Sequence, residues 1–273
     1  MSQPASERND NSDDVTPGER SGNAPDPAAA DTVPEAPPDR VVSINRATLR
    51  SVDFRKARFD KFSLAGCLFI SCDFRALRFD KRYQPMFSAR PASIFRDCRF
   101  DGADLRRVRP GEARFEQCTF DDALIDGWRC EAAEFISCRF AGALGRVIFN
   151  GRPTGNAGRG VERKRNEVRQ NDFRDADLDQ VVFTLGIDLG TQRLPQSERY
   201  VRLDRFPQRL AHARAEIVRW DIQEERVAAV TMLRELSTRF REQREVIASR
   251  VSASGPAARV QTRVWALLER AIA

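Results

Sequence analysis

The chain has 273 residues, of which 41% are hydrophobic and 32% charged, so it is long and apolar enough to bury a core. Its aromatic residues are unevenly distributed, with 18 Phe against 2 Tyr and 3 Trp. The formal net charge of +6 and the pI near 9.3 are a modest basic excess. Such an excess is compatible with nucleic acid, with an acidic protein partner, or with neither.

Composition also argues against metal, secreted and membrane proteins. The six cysteines form no CxxC pair, and the single histidine, His212, lies far from them in sequence, so we expect no metal and no cofactor. The N-terminus has no basic stretch followed by an apolar one, and no window reaches 18 consecutive apolar residues. We therefore expect a cytoplasmic protein with reduced thiols and no membrane partner.

Residues 1–40 are rich in Pro, Asp, Ala and Ser and poor in large apolar side chains. The stretch 1–46 carries 4 basic and 9 acidic side chains. Such a segment cannot bury enough apolar surface to offset its chain entropy, so we predict a disordered, acidic, Pro-rich N-terminus. It is either a solvated leader or a short segment that docks on a partner.

The next segment contains a five-residue repeat of large apolar side chains. The positions are Leu49, Phe54, Phe59, Leu64, Phe69, Phe74 and Phe79, then Phe95, Phe100, Leu105, Phe115, Phe120, Ile125, Phe135 and Phe140, then Phe173, Leu178 and Phe183. A small residue, usually Ala or Cys, precedes most of them by two positions. A period of five keeps side chains on no single face of a helix or of a flat strand. The backbone must therefore turn a corner at every unit.

Units such as CDFRA (72–76), ADLRR (103–107) and ADLDQ (176–180) resemble those of the pentapeptide-repeat family. The resemblance covers about Ala47 to Phe183, and it implies a right-handed quadrilateral β-helix with four units per coil. A second period of 20 residues, seen in Cys98, Cys118 and Cys138, independently supports a coil of that length. We therefore predict a mainly β chain: a pentapeptide-repeat solenoid at 41–195 with two loop insertions, followed by an α-helical segment at 196–273.

The repeat predicts which side chains fill the interior of the solenoid. They are Phe54, Phe59, Phe69, Phe74, Phe95, Cys98, Phe100, Phe115, Cys118, Phe120, Phe135, Cys138, Phe140, Phe173, Leu178 and Phe183. Cys72, Cys98, Cys118 and Cys138 should stack in one column, with Asn171 next in line. We interpret these cysteines as small buried hydrophobes, since parallel inward side chains leave no room for a metal ion or for disulfide closure.

Two insertions interrupt the coils, at about 80–93 and 150–170, and we expect both to project from one side of the solenoid. On that side Trp128 and Cys130 invert the usual order of small and then large residue. The insertions carry the basic residues Lys81, Arg82, Arg90, Arg152, Arg159, Arg163, Lys164, Arg165 and Arg169. Loops on a rigid scaffold commonly bind partners, so we predict a partner-binding site here. The alternative is a tolerated insertion with solubilising charge.

The glycines of the second insertion, Gly155, Gly158 and Gly160, indicate a flexible loop. A phosphate-binding loop would need a following Lys-Ser or Lys-Thr and a strand-to-helix context, and the sequence has neither.

The C-terminal segment changes to helical spacing of its apolar residues. From Pro207 to Val251 the spacing predicts one long helix, and Gly255 and Pro256 separate it from a shorter one. An amphipathic stripe must be buried, so these helices cap the solenoid, fold as a hairpin or form a homodimer. His212 is expected to be an ordinary helix residue.

No nucleophile, acid-base pair or metal set emerges, so we expect a non-enzymatic scaffold or adaptor that presents basic loops to a protein partner. The family resemblance implies an alternative, a DNA gyrase or topoisomerase-binding protein of the quinolone-resistance kind. The basic charge disfavours it, because a DNA mimic should be strongly acidic. A third alternative is a nucleic-acid-binding protein, whose affinity would fall steeply with salt.

Overall fold

The computed structural model describes residues 41–57, 61–79, 86–249 and 256–270. These residues fall within one compact unit. The predicted disordered segment 1–40, the core residue Phe59 and the basic residues Lys81 and Arg82 lie outside the described residues.

The described chain is mainly β. The strands are β1 (Val41–Asn45), β2 (Thr48–Arg50), β3 (Lys61–Ala65), β4 (Leu68–Ile70), β5 (Met86–Ala89), β6 (Ile94–Arg96), β7 (Arg114–Glu116), β8 (Thr119–Asp121), β9 (Arg129–Cys130), β10 (Glu134–Ile136), β11 (Arg139–Ala143), β12 (Ile148–Asn150), β13 (Val168–Arg169), β14 (Asp172–Asp177), β15 (Val182–Thr184), β16 (Tyr200–Leu203) and β17 (Val246–Ser249). The helices are α1 (Gly155–Gly158), α2 (Phe206–Ile217), α3 (Gln223–Arg239) and α4 (Pro256–Glu269). A 3-10 turn spans Leu189–Thr191.

Parallel pairing stacks the strands of successive coils. The longest sheet has the order β13-β10-β7-β6-β4-β2. Within it Phe95 pairs with Phe115 and Phe115 with Phe135, so one coil takes 20 residues. A second sheet has the order β14-β11-β8. We call the third side the insertion face: it contains β1-β3-β5 and β15-β12-β9, and a bridge between Met86 and Arg109 extends the first group.

The interior explains why the sequence favours phenylalanine. Rings in successive coils stack face to face, as in Phe54 over Phe74 at 4.6 Å between ring centroids and Phe69 over Phe95 at 4.8 Å. These spacings match the distance of about 4.8 Å between paired strands. Rings of neighbouring columns meet edge to face, as Phe69 and Phe74 do at 5.6 Å. The edge-to-face contacts suit the charge distribution of an aromatic ring, and the stacked columns add van der Waals contact from coil to coil. Of the predicted interior residues, all those within the described ranges are buried.

The corners repeat as regularly as the strands. Ser51, Ser71, Asp97, Gln117 and Ser137 each follow a strand of the longest sheet and adopt φ values between 53° and 55°. This left-handed conformation reverses the local curvature of the chain and separates one face from the next. The residue types at these corners are polar and exposed, which fits their position outside the core.

The cysteine column is a packing feature in the structure. Cys72, Cys98, Cys118 and Cys138 are buried free thiols. The thiol of Cys118 donates to the carbonyl oxygen of Phe95 at 3.3 Å, and that of Cys138 to Phe115 at 3.4 Å. Asn171 continues the column, where its side chain donates to the carbonyl oxygen of Phe135 at 2.9 Å and accepts from the amide of Cys138 at 2.9 Å.

Both insertions are narrower than predicted. Within 80–93, Met86–Ala89 forms strand β5, and Phe87 is fully buried among the core rings. Within 150–170, Asn150 ends β12 and Val168 begins β13, so the inserted stretch is about 151–167. A chain that loops out must still return its apolar side chains to the core, and Phe87 and Val168 do so.

The C-terminal segment differs from the single long helix predicted up to Val251. In the structure α2 ends at Ile217, and a separate helix, α3, runs from Gln223 to Arg239. Ile247 lies in β17, which pairs antiparallel with β16. The break is local: a chain reversal between α2 and α3 lets both pack on α4 around Ile217, Leu233 and Val264. Helical spacing cannot distinguish this from a continuous helix.

The C-terminal segment covers the last coil of the solenoid. Gln243, only 1% exposed, accepts hydrogen bonds from the amides of Gly186 and Ile187, each at 2.8 Å, and donates to the carbonyl oxygen of Ile187 at 3.0 Å. Ile247 joins the core of the solenoid, and Val182 of β15 joins the apolar cluster of the helices. The helices therefore pack on one another and also cover the last coil, which combines two of the predicted arrangements within one chain. Homodimerisation stays a prediction.

None of the helices in the described ranges combines the length and apolar character that a membrane crossing needs. His212 lies exposed in α2.

Candidate partner-binding site

A groove of about 970 Å³ runs along the insertion face. One wall is the stretch 86–90 at the end of the first insertion, and the other is 155–159 of the second. The floor consists of two consecutive coils, at 106–112 and 127–131. The two insertions therefore flank one depression. We call it the insertion groove.

Arg90 connects the two walls. Its guanidinium forms an ion pair with Glu112 and donates a hydrogen bond to the carbonyl oxygen of Arg159 in the second insertion. Gly160, with φ +74°, lies against the same guanidinium, and a side chain there would collide with it. Glycine is favoured here mainly by the positive φ, a conformation that other residues rarely adopt, so this position needs a specific backbone geometry where the sequence indicates only flexibility.

Glu131 holds the base of the second insertion. Its carbonyl oxygen accepts from the amide of Thr154 at 3.0 Å and from the side chain of Asn166 at 3.2 Å. Its carboxylate lies against Gly155, where any β-carbon would overlap it. The second insertion consequently packs down on the coil instead of projecting freely into solvent.

At the floor of the groove, Trp128 stands where the repeat usually has a small residue, and Cys130 stands where it usually has a large one. Cys130 pairs with Phe149 of the next coil and so occupies a position for a large residue. Trp128, 1% exposed, fills the volume that this cysteine leaves, and its indole N–H donates to the carbonyl oxygen of Leu105 at 2.8 Å. The inverted order seen in the sequence therefore keeps the core filled, because the large Trp128 makes up for the small Cys130. It supports the groove from below and contributes no polar group to it.

The insertion groove has an excess of positive charge. Its lining includes the arginines Arg90, Arg106, Arg107, Arg109, Arg129 and Arg159, against the two acids Glu112 and Glu131. Arg106 is paired with Asp104 at 2.7 Å, and their hydrogen bond holds the pKa of Asp104 below its usual value. Arg129 differs: within the described ranges no carboxylate lies within 4 Å of its guanidinium.

Elsewhere on the coils, arginines face their own acids. Arg75 pairs with Asp73 at 2.6 Å and Arg174 with Asp172 at 2.6 Å, each across the intervening phenylalanine. On the longest sheet, Arg114 pairs with Glu116 at 2.6 Å. These faces are internally neutralised. In the insertion groove Arg129 and Arg159 have no such carboxylate among the described residues, so their charge is available to attract an anionic partner.

The predicted basic residues are not all in one place. Arg90 and Arg159 line the insertion groove. Four others line a separate depression on the far side of the second insertion: Arg152, Arg163, Lys164 and Arg165. Arg169 lies in β13 of the longest sheet, near Glu167 at 3.6 Å and Gln170 at 3.0 Å, away from both depressions.

The arginines of the groove floor were not among the residues predicted from the sequence. Arg106, Arg107, Arg109 and Arg129 belong to the repeat itself, and the prediction considered only the inserted loops. A signal was present in the stretch RRVRP (106–110), which has three arginines in five residues without an acid. The meaning of this stretch depends on the second insertion, which lies beside it only in three dimensions.

Buried thiols near the groove offer no reactive group. Cys130 is fully buried, and burial raises the pKa of its thiol. Among the residues that the structure describes, no group of three or more His, Cys, Asp or Glu side chains could hold a metal ion.

Among solved structures, this chain is similar to pentapeptide-repeat proteins. The predicted resemblance is confirmed. A trypsin-treated variant of QnrB1, a plasmid-mediated fluoroquinolone resistance protein, is 15% identical with a TM-score of 0.26, over 56% of this chain and 70% of that one. HetL from the cyanobacterium Nostoc, a pentapeptide repeat protein involved in heterocyst differentiation regulation, is 13% identical with a TM-score of 0.16, over 56% and 81%. At these values the likeness carries no argument about the site. No family model and no curated protein matches the chain.

Proposed function

We propose that this protein is a non-enzymatic interaction scaffold, and that its insertion groove binds an acidic segment of a protein partner. The observation that carries the proposal is the contact of Arg90 with both Glu112 and Arg159, which closes two insertions around a floor of arginines. The right-handed, quadrilateral form of the coil belongs to the same proposal.

A preformed groove favours binding because little conformational freedom is lost on association. The floor consists of coils whose aromatic rings stack on their neighbours, and the walls are held by Arg90 and Glu131. Arg129 and Arg159 line the insertion groove and have no carboxylate within 4 Å in the described ranges, which favours a ligand with carboxylates, since the planar guanidinium can bind one in a bidentate manner.

Arg129 is the residue to which we assign the central role. It lines the insertion groove and also two smaller depressions, of about 450 Å³ and 340 Å³, that continue toward the end of α3 at Arg239. An acidic segment that lay along the insertion face would pass this guanidinium, which lacks a carboxylate partner within the described ranges.

The two alternative functions have less support. A topoisomerase-binding mimic of duplex DNA needs a face of unpaired carboxylates, but the aspartates of the coils, such as Asp73 and Asp172, are paired with arginines. Nucleic-acid binding needs an extended basic surface along many phosphates. The insertion groove instead includes the acidic residues Glu112 and Glu131 in its lining.

Site-specific photocrosslinking in the native host tests the proposal. A photoreactive amino acid replaces Ala157 in the groove wall, and in a matched protein it replaces Ser137, an exposed corner residue on another face. We expect a protein adduct from position 157 alone, with the crosslinked peptide rich in Asp and Glu.

The captured partner is then purified and its affinity is measured for the double variant Arg129→Glu and Arg159→Glu. We expect a loss of at least about tenfold, since two charge-assisted contacts are reversed. The control is Arg50→Glu with Arg234→Glu, which changes the charge equally at exposed positions outside the groove. Adducts with nucleic acid, or equal losses in both double variants, would refute the proposal.

A further inference from the structure

We propose that the depression on the far side of the second insertion is a binding site for a phosphoryl group. We call it the junction pocket, because the second insertion and the turn after α3 form its walls. It has a volume of about 540 Å³ and shares no lining residue with the insertion groove. This inference goes beyond the proposed function and does not depend on it.

The charged residues that line the junction pocket are all basic. Arg152, Arg163, Lys164, Arg165 and Arg241 are five of its ten lining residues, and none of the ten is Asp or Glu. Elsewhere on the coils arginines alternate with carboxylates along a face, as in the pairs of Arg75 with Asp73 and Arg96 with Glu116. The local field in the junction pocket therefore favours an anion more strongly than the coil faces do.

Two of the five cations are held in position by contacts behind them. Arg163 donates to the carbonyl oxygen of Ala132, to Asn166 at 3.2 Å, and lies 3.3 Å from the carboxylate of Glu134. Arg152 forms an ion pair with Glu242 at the start of the turn that follows α3. These contacts reduce the entropy that either side chain would lose on binding a ligand.

Lys164 and Arg165 supply the uncompensated charge. Both are exposed, and within the described ranges neither has a carboxylate within 4 Å. The acids that neutralise their neighbours, Glu134 and Glu242, lie outside the pocket lining. A ligand carrying two negative charges would balance these two side chains.

Thr154 adds a neutral donor. Its hydroxyl oxygen accepts a hydrogen bond from the side chain of Asn150 at 2.6 Å, so the hydroxyl hydrogen remains available for a ligand in the pocket that Thr154 lines. Guanidinium, ammonium and hydroxyl donors together match the three acceptor oxygens of a phosphoryl group. A single carboxylate would use fewer of them.

The test is a titration of the full chain by calorimetry with inorganic phosphate, pyrophosphate and O-phosphoserine as separate probes. These three distinguish a free phosphate, a diphosphate and a phosphate monoester as the source of the group. We expect saturable binding of at least one probe, weakened by added salt because the charges are near the surface. The double variant Lys164→Gln and Arg165→Gln should bind at least about tenfold more weakly.

The matched control is Arg214→Gln with Arg234→Gln, which removes the same charge from exposed positions on α2 and α3 and should leave binding unchanged. Unchanged thermal unfolding of both double variants shows that the fold is retained. The variant Arg129→Glu with Arg159→Glu should also bind the probe as the natural chain does, which separates this site from the insertion groove. No saturable binding at millimolar probe, or equal weakening in variant and control, would overturn the inference.

Discussion

Arg90 of the first insertion donates a hydrogen bond to the backbone carbonyl oxygen of Arg159 in the second insertion, across 69 residues of sequence. The same guanidinium pairs with Glu112 on the floor of the insertion groove. One side chain thus joins two loops and the coil between them.

Replacing Arg90 should loosen the second insertion without unfolding the coils. For Arg90→Ala we expect faster amide hydrogen exchange at 157–162, with a change in unfolding free energy of about 1 kcal/mol or less, as for an exposed ion pair. Hydrogen-exchange mass spectrometry measures both local and global protection. Arg96→Ala is the control, because Arg96 pairs with Glu116 at similar exposure and touches neither insertion. Equal exchange in both variants would show that Arg90 does not hold the loop.

Gln243 should be the main polar anchor of the cap. The variant Gln243→Ala leaves the amide and the carbonyl oxygen of Ile187 without partners in a buried place, and it removes the partner of the partly buried amide of Gly186. We expect a loss of roughly 2 to 4 kcal/mol in unfolding free energy, measured by urea denaturation. Gln208→Ala, an exposed residue of α2, should change the value little. A loss no larger than that of the control would contradict the anchoring role.

The thiols of the cysteine column should react only slowly with thiol reagents in the native protein. All six cysteines are buried, so a reagent in solution cannot reach their sulfur atoms, and burial also raises the pKa of the Cys118 and Cys130 thiols. With a disulfide reagent we expect slow labelling in buffer and six rapid equivalents in denaturant. Ser237→Cys, at an exposed position of α3, should add one fast equivalent. Rapid native labelling of the column would mean that it is not closely packed.

The aspartate–arginine pairs should make the stability of the folded protein decrease at acidic pH. The hydrogen bond from Arg174 is the main cause that lowers the pKa of Asp172 to about 2, against 3.8 for an unperturbed aspartate. Because the folded pKa is the lower one, the stabilisation is complete above about pH 4 and is lost as the pH falls toward 2. We expect the melting temperature to fall across this window.

The variant Asp172→Asn should show a smaller fall in melting temperature over the same window. Asp175→Asn is the control, since the Asp175 side chain is 67% exposed and, among the described residues, forms an ion pair only with Arg139, at 3.2 Å. If both variants keep the full acid dependence of the natural chain, Asp172 is not one of the groups responsible.

Much of the solenoid could be read from the sequence, because its core is local and periodic. Each coil repeats the same environment, so a Phe at every fifth residue and a Cys at every twentieth identify inward positions without knowledge of any distant contact. The inversion at Trp128 and Cys130 was visible for the same reason, since a departure from a strict period is as conspicuous as the period itself.

The C-terminal segment could not be read in that way. Ile247 continues the helical spacing in the sequence, but in the structure it lies in a strand. It pairs with Arg202 of β16 and is buried against the last coil, and these contacts outweigh the local preference for a helix. Helical periodicity reports which residues are apolar, and it does not report what covers them.

The coil length, the inward residues and the presence of basic insertions could be predicted from the sequence, since these depend on spacing along the chain. Which charged side chains lie next to one another is known from the three-dimensional arrangement alone. Arg90 and Arg159 lie on one side of the second insertion, and Lys164 and Arg165 lie on the other. Arg129 lies on the floor of the insertion groove. Ion pairing depends on distances across coils and loops, and spacing within one segment carries no information about those distances.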